Sequence, residues 1–240
     1  MPQTPPQKKQ LPQMGEARAS FLGRIRGMLE HKTTQPPAEP APAVDEALVR
    51  LASADDDLPA LFTQRAQAVG MKVHRVKLEQ VVPRLRELLG QLEARRVGVA
   101  GGAVGERLEL ELDAALQADG IRQADWDALP NMGSQYDLDA GITDVHAAIA
   151  ETGTLVCCAG PQASRGLSLV PPAHIALVRT SDIVPDMIDY WARLKGMPHT
   201  ELPSSQVFIT GPSKTADIEG ELVTGVHGPA AVHILLIDAG

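Results

Sequence analysis

The sequence predicts an α/β protein built on a parallel sheet covered by helices on both faces. Three observations carry this. From Val44 onward, stretches of helical period alternate with short apolar runs of strand character, the pattern that parallel strands joined by crossover helices produce. At 240 residues and 44% hydrophobic content the chain can bury a substantial core. Only seven residues are aromatic, so aliphatic side chains must fill that core.

Taken in order, residues 45–69 have helical periodicity, Met71–Val76 reads as a strand, Leu78–Leu92 as a helix and Arg96–Ala100 as a strand. A helix near Glu106–Ala118 and a short strand at Ile121–Ala124 follow. After an irregular stretch, strands are expected at 148–150, Leu155–Cys158, His174–Arg179, Gln206–Thr210 and Val232–Asp238. Helices are expected at Ser181–Lys195 and Thr215–Glu221. No internal repeat is present.

The first 45 residues differ from the rest. They hold eight of the nineteen prolines and a net charge of +2, against −10 for residues 46–240. Between two proline-rich pieces, residues 16–32 place Ala17, Phe21, Leu22, Ile25, Met28 and Leu29 on one stripe, an amphipathic helix. Residues 33–43, TTQPPAEPAPA, are a stiff, extended linker. The organisation expected is therefore an N-terminal arm over 1–45 and an α/β domain over 46–240. Phe21, Ile25 and Leu29 are expected to dock on a second copy or on a partner subunit.

Composition excludes several classes of function. The net charge of −8 repels a phosphate backbone, and few aromatics are available to stack on bases, so nucleic acid is not an expected partner. The longest unbroken apolar run is the five residues 155–159, too short for a membrane-spanning helix, and the polar first fifteen residues carry no secretory signal. A cytoplasmic location is expected. The only cysteines, Cys157 and Cys158, are adjacent and without C-x-x-C spacing, which suits neither a structural disulfide nor an iron–sulfur cluster in this chain.

In an open α/β sheet, ligands sit beyond the carboxyl ends of the strands, so three loop systems are candidates. The first, AGGAVGERLE at 100–109, opens a helix after a strand with Gly102 and Gly105, and Asp125 follows at the distance a dinucleotide fingerprint needs. However, Ala100 stands where the first glycine belongs, and an ordinary strand-to-helix turn is the simpler reading. The second, residues 150–178, offers the Glu151 carboxylate as a candidate catalytic group, with Thr152, Gly153 and Thr154 beside it. Its Arg165, the only basic residue between Arg122 and Arg179, is a candidate anion clamp, and His174 begins a buried-looking strand. In the third, residues 209–229, Thr210, Gly211 and Pro212 turn the chain into a helix capped by Ser213 or Thr215. The free amides of that helix, with Lys214, are candidates to receive an anion. Asp217 and Glu219 suit that helix's first turn, and His227 and Gly228 return the chain to the sheet. His227, His233, Asp217 and Glu219 match no recognised metal-ligand spacing, so no metal is expected.

The segments AETGTLV (150–156), SRGLSLVPPAHIALV (164–178) and ITGPSKTADIEGELVTGVHGP (209–229) resemble the lactate-utilisation protein C family, the LUD domain. ARASFLGRIRGML (17–29) also resembles that family's opening. The resemblance implies a three-layer α/β domain similar to the ribose-phosphate isomerase and CoA-transferase-like fold. It also implies a place in a three-component system that oxidises L-lactate to pyruvate, whose other two components are iron–sulfur proteins. Two functions follow as expectations. One is a cluster-free subunit of that system that binds a small anion or a partner, itself holding no cofactor. The other is a stand-alone enzyme acting on a phosphorylated or CoA-linked small organic acid.

Overall fold

The structure, a computed structural model, describes residues 18–30, 45, 49–100, 106–124, 132–160, 164–198, 200–218 and 221–238. The chain divides into two units, Met1–Glu46 and Ala47–Gly240. In the first, Arg18–Glu30 forms helix α1. The second runs through α2 (Leu58–Ala68), β1 (Lys72–Val76), α3 (Val81–Gln91), β2 (Arg96–Val99), α4 (Glu106–Ala118) and β3 (Arg122–Ala124). It continues through β4 (Ala140–Asp144), β5 (Ala147–Ile149), β6 (Thr154–Ala159), β7 (Ala173–Arg179) and β8 (Ile183–Val184). Then come α5 (Met187–Lys195), β9 (Ser205–Ile209), β10 (Lys214–Ile218), β11 (Glu221–Thr224) and β12 (Ala231–Ile237).

Six strands form one parallel sheet in the order β1-β12-β7-β4-β2-β3. Because side chains alternate along a strand, the sheet has two differently covered faces. On one, Ala140, Ile142, Ile175, Leu177, Leu235 and Ile237 meet α3 and α4. The apolar stripe Val81, Leu85, Leu88 and Leu89 of α3 is buried there, and each of these side chains contributes about 2 kcal/mol of hydrophobic stabilisation. On the other face, Ala176, Val178, Val232, Ile234 and Leu236 meet Phe62 and Ala66 of α2 and Ala148, Leu155 and Cys157 of a second sheet. That sheet has the order β8-β5-β6-β9. Its outer face is covered by Tyr190 and Leu194 of α5. Only Val145 and His146 separate β4 from β5, so the chain passes directly from one sheet to the other.

Four expectations are corrected. The helical period over 45–69 is interrupted: Val49 is helical, residues 50–57 are not, and a helix begins again at Leu58, while residues 46–48 lie outside the described residues. Asp57 caps that second start by accepting a hydrogen bond from the Ala60 amide at 3.1 Å. The expected helix 181–195 starts at Met187, because Pro185 cannot sit inside a helix and Asp186 caps the one that follows by accepting from the Asp189 amide. The expected helix over 215–221 is a β-hairpin, with Lys214 paired to Thr224 and Thr215 to Val223. The β-branched Thr215, Ile218, Val223 and Thr224 favour strands there. The helix start that Ser213 and Thr215 were expected to cap is therefore absent. Strand β4 falls in the stretch read as irregular.

Candidate functional site

The three motif-bearing segments converge near the amino ends of the parallel strands. The second segment leads into β7 and the third into β12, so both approach the edge opposite to the one expected. At the base of the hairpin, the Ser213 amide donates to the Pro229 carbonyl and the Gly225 amide to the Ser213 carbonyl, both at 2.9 Å. The Ala230 amide donates to the Pro172 carbonyl at 2.8 Å. A Cβ on Gly228 would stand 3.3 Å from both the Leu169 carbonyl and the Ser213 Cβ, so the second and third segments touch at that point. The first and third segments are joined by hydroxyls. Thr152 Oγ1 lies 2.6 Å from Thr154 Oγ1, which lies 2.8 Å from Thr210 Oγ1.

Backbone contact explains two of the glycines. Gly153 has φ +67, and a Cβ there would stand 2.3 Å from the Ala66 amide nitrogen of α2. Gly211 has φ +104 and lies against the Val69 carbonyl. These positions seat loops on α2 instead of admitting a ligand.

Between the sheets lies a buried polar cluster that the sequence reading reached only through His174. Thr143 Oγ1 is 2.8 Å from His174 Nε2 and 3.8 Å from Cys157 Sγ. Ser168, also buried, donates to the Arg165 carbonyl at 3.1 Å. The segment Arg165–Ser168 reaches this place because β2 and β4 present glycines. A Cβ on Gly141 would stand 1.9 Å from the Leu167 carbonyl oxygen, and one on Gly98 would stand 2.3 Å from the Leu167 side chain. Burial holds the His174 imidazole neutral, lowering its pKa to about 4, and pushes the Cys157 thiol up to about 12. His174 Nδ1 has no hydrogen-bond partner among the described residues.

The opposite edge has different chemistry. From β2 the chain crosses through α4 to β3 on one side, and from β4 it proceeds to β7 and β12 on the other. The carboxyl ends of β2 and β4 thus flank the topological switch point, where open α/β sheets bind ligands. Asp144 closes β4 there, on the face it shares with Leu177. Burial raises its carboxyl above the usual aspartate range. Its own backbone amide, Arg179 and His146 oppose that rise, and Asp182 adds to it. A carboxyl that holds its proton more tightly than usual, with a guanidinium close enough to act on its charge, suits binding and proton exchange with a small acid. The sequence reading missed Asp144 because β4 itself was missed; its position at the end of a strand is the signal that would have found it.

The profile of the LUD domain family matches residues 60–237. The chain belongs to the LUD domain family. Lactate utilization protein C of an Exiguobacterium species is 32% identical over 231 residues, covering 92% of this chain and 95% of the relative. The protein of the same name from Anoxybacillus flavithermus is 34% identical over 70% of this chain and 76% of its own. A crystal structure of a DUF162 family protein from Deinococcus radiodurans superposes with a TM-score of 0.52 at 23% identity, over 75% of this chain and 96% of that one, which establishes a shared fold.

Within this LUD domain the expected site residues separate. Thr154 and His174 are buried, and Glu151 is half-buried with its amide donating to the Pro185 carbonyl at 3.0 Å. Thr152, Arg165, Thr210, Lys214 and His227 are exposed, and Gly211, Pro212, Ser213 and Gly228 are half-buried. Among the described residues, neither Arg165 nor Lys214 forms an ion pair. Asp217 lies on the strand β10, not in a helical first turn, and Glu219 lies outside the described residues, as do Gly102, Gly105 and Asp125. His233 and His227 do not come together as ligands: His233 is buried and stacked on His74, whereas His227 is exposed. No group of three or more His, Cys, Asp or Glu side chains suited to a metal occurs among the described residues.

Proposed function

We propose that this chain is a cluster-free component of a lactate-utilisation system, acting in the cytoplasm beside two iron–sulfur proteins. In this reading it binds a small organic acid at the carboxyl edge of its parallel sheet. The assignment to the system rests on the near-full-length match to a relative named Lactate utilization protein C. No helix among the described residues is long and apolar enough to cross a membrane, which is compatible with that location. For the ligand, Arg179 supplies a guanidinium for a carboxylate, and Asp144, whose carboxyl burial makes bind a proton more tightly than usual, is the group that shares a proton with the acid's second oxygen function. Helix α1 is the docking device of this reading, with Phe21, Ile25 and Leu29 as the contact residues for a partner subunit or a second copy.

Thermal stability measured against L-lactate, pyruvate and acetate tests the binding step. L-lactate or pyruvate is expected to raise the melting temperature of the natural chain, and Asp144→Asn and Arg179→Ala are expected to remove the response. An unchanged response in both variants sinks the proposed site. Lactate-dependent dye reduction by this chain without partners sinks the subunit reading and favours the stand-alone enzyme. Replacing Phe21, Ile25 and Leu29 by serine is expected to abolish co-purification with the partners or self-association in sedimentation.

A further inference from the structure

On the helix-covered face, at the edge strand β1, lies a cluster outside everything assigned above. His74 of β1 and His233 of β12 stack with centroids 5.4 Å apart, and His74 Nε2 lies 3.2 Å from His233 Nδ1. Arg84 of α3 places Nη2 2.8 Å from His74 Nδ1 and also binds Glu87. A guanidinium only donates, so His74 Nδ1 must accept. The His74 proton then sits on Nε2 and is donated to His233 Nδ1, which leaves the His233 proton on Nε2. That atom is buried and has no partner among the described residues.

This one-way chain holds only while both rings are neutral. A second proton on His74 Nδ1 would put two donors, Nδ1–H and the Arg84 Nη2–H, 2.8 Å apart with nothing between them to accept. Both groups line one open cleft of about 440 Å³, with Arg75, Val76, Gln80, Pro83 and Glu87, and that volume lies within the usual size range of small-molecule sites. An anionic oxygen in the cleft would accept from both donors at once. The charges that act on His74 are Arg84 and Glu87 of α3 and Lys72 of β1, and Arg75, which binds Asp238 at 2.8 Å, also lines the cleft. Burial first, then Arg84, holds His74 below its ordinary value, and burial lowers His233 to about 4.

We infer that the cleft between β1 and α3 is a proton-coupled anion site, which takes a small oxyanion between Arg84 and His74 as His74 takes up one proton. The ligand class is a sulfate-, phosphate- or carboxylate-bearing small molecule.

Sulfate keeps its charge between pH 7.5 and 5.5 and is the probe. If the bound anion returns His74 to the ordinary imidazole value near 6.5, linkage makes sulfate bind tighter at pH 5.5 than at 7.5, by up to about tenfold. Titrations of the full chain followed by histidine ring ¹⁵N resonances should show His74 becoming doubly protonated on sulfate addition at pH 5.5. His74→Gln keeps the hydrogen-bond chain, since its amide can accept from Arg84 and donate to His233, but cannot titrate. It should bind sulfate weakly at both pH values, without that gain. Arg84→Gln should lose binding at both. Equal affinity at the two pH values, the gain surviving in His74→Gln, or unmoved His74 resonances in the natural chain would each overturn the proposal. Asp144→Asn should leave sulfate binding intact, which separates this site from the carboxyl-edge site.

Discussion

The two edges of the parallel sheet are built on opposite terms. At the amino edge, where the recognisable motifs gather, backbone packs on backbone: Gly153 lies against α2, Gly211 against Val69 and Gly228 against Leu169. Polar groups there are mostly answered by one another, as in the chain from Thr152 through Thr154 to Thr210. At the carboxyl edge a half-buried carboxyl is held protonated more tightly than usual beside Arg179. A distinctive sequence motif therefore marks, in this fold, where close packing forbids substitution, while unspent chemistry lies at the plainer end of β4.

Substitutions can break that contrast, and the largest effects belong to the packed glycines. Gly141→Ala and Gly153→Ala drive a methyl into backbone at 1.9 and 2.3 Å, and the second also forces alanine to φ +67. Each is expected to cost about 4 kcal/mol or more in chemical denaturation, and a loss below about 1 kcal/mol would show that the loops yield easily. Thr143→Val leaves His174 Nε2 unpaired inside the protein, which should lower stability by about 2 kcal/mol at pH 7.

The pH limbs come next. His174 titrates lower folded than unfolded, so its stabilising contribution is complete above the ordinary imidazole value near 6.5. It is lost as pH falls toward about 4, at roughly 1 kcal/mol per pH unit. Denaturation from pH 7 to 4 should show that limb, flattened in His174→Asn. Asp144 behaves in the opposite sense. Its folded value is raised, so its favourable contribution is complete below the unfolded value of 3.8 and is lost as pH rises through the folded value. Asp144→Asn should therefore melt higher than the natural chain at pH 7, with the gap closing below pH 3.8, while losing its ligand response. A lower melting temperature at pH 7 would mean that the carboxylate is structurally required. Lys214→Ala, on the exposed hairpin, should change stability by less than about 0.5 kcal/mol.

Much of this was legible beforehand where periodicity is strong. The stripe of α3 and the apolar runs of β7 and β12 announced the parallel sheet. Strand β4, AGITD, escaped because a strand buried on both sides need not alternate, and its Gly141 looks like loop while serving as the seat of Leu167. With β4 went Thr143 and Asp144. The hairpin 214–224 was misread because Ser213, Thr215, Asp217 and Glu219 imitate a helix start; cross-strand pairing to Val223 and Thr224 decided otherwise. His174 was noticed as a buried histidine, but its contacts with Thr143 on another strand and Cys157 in another sheet depend on spatial convergence that no local pattern records. The His74–His233 chain depends on convergence in the same way.

The pairing of β1 with β12 also fixes the order in which this domain can be finished. Residue 72 finds its neighbour at residue 233, and β12 sits between β1 and β7. During synthesis β1 emerges early and stays without a sheet neighbour until almost the whole domain has left the ribosome. The closing contact spans the longest loop in the sheet and is therefore entropically the most demanding. Chains released before β12 would carry a vacant slot one place in from the sheet's edge, bounded by β1 on one side and β7 on the other, open to any extended segment that can fill it.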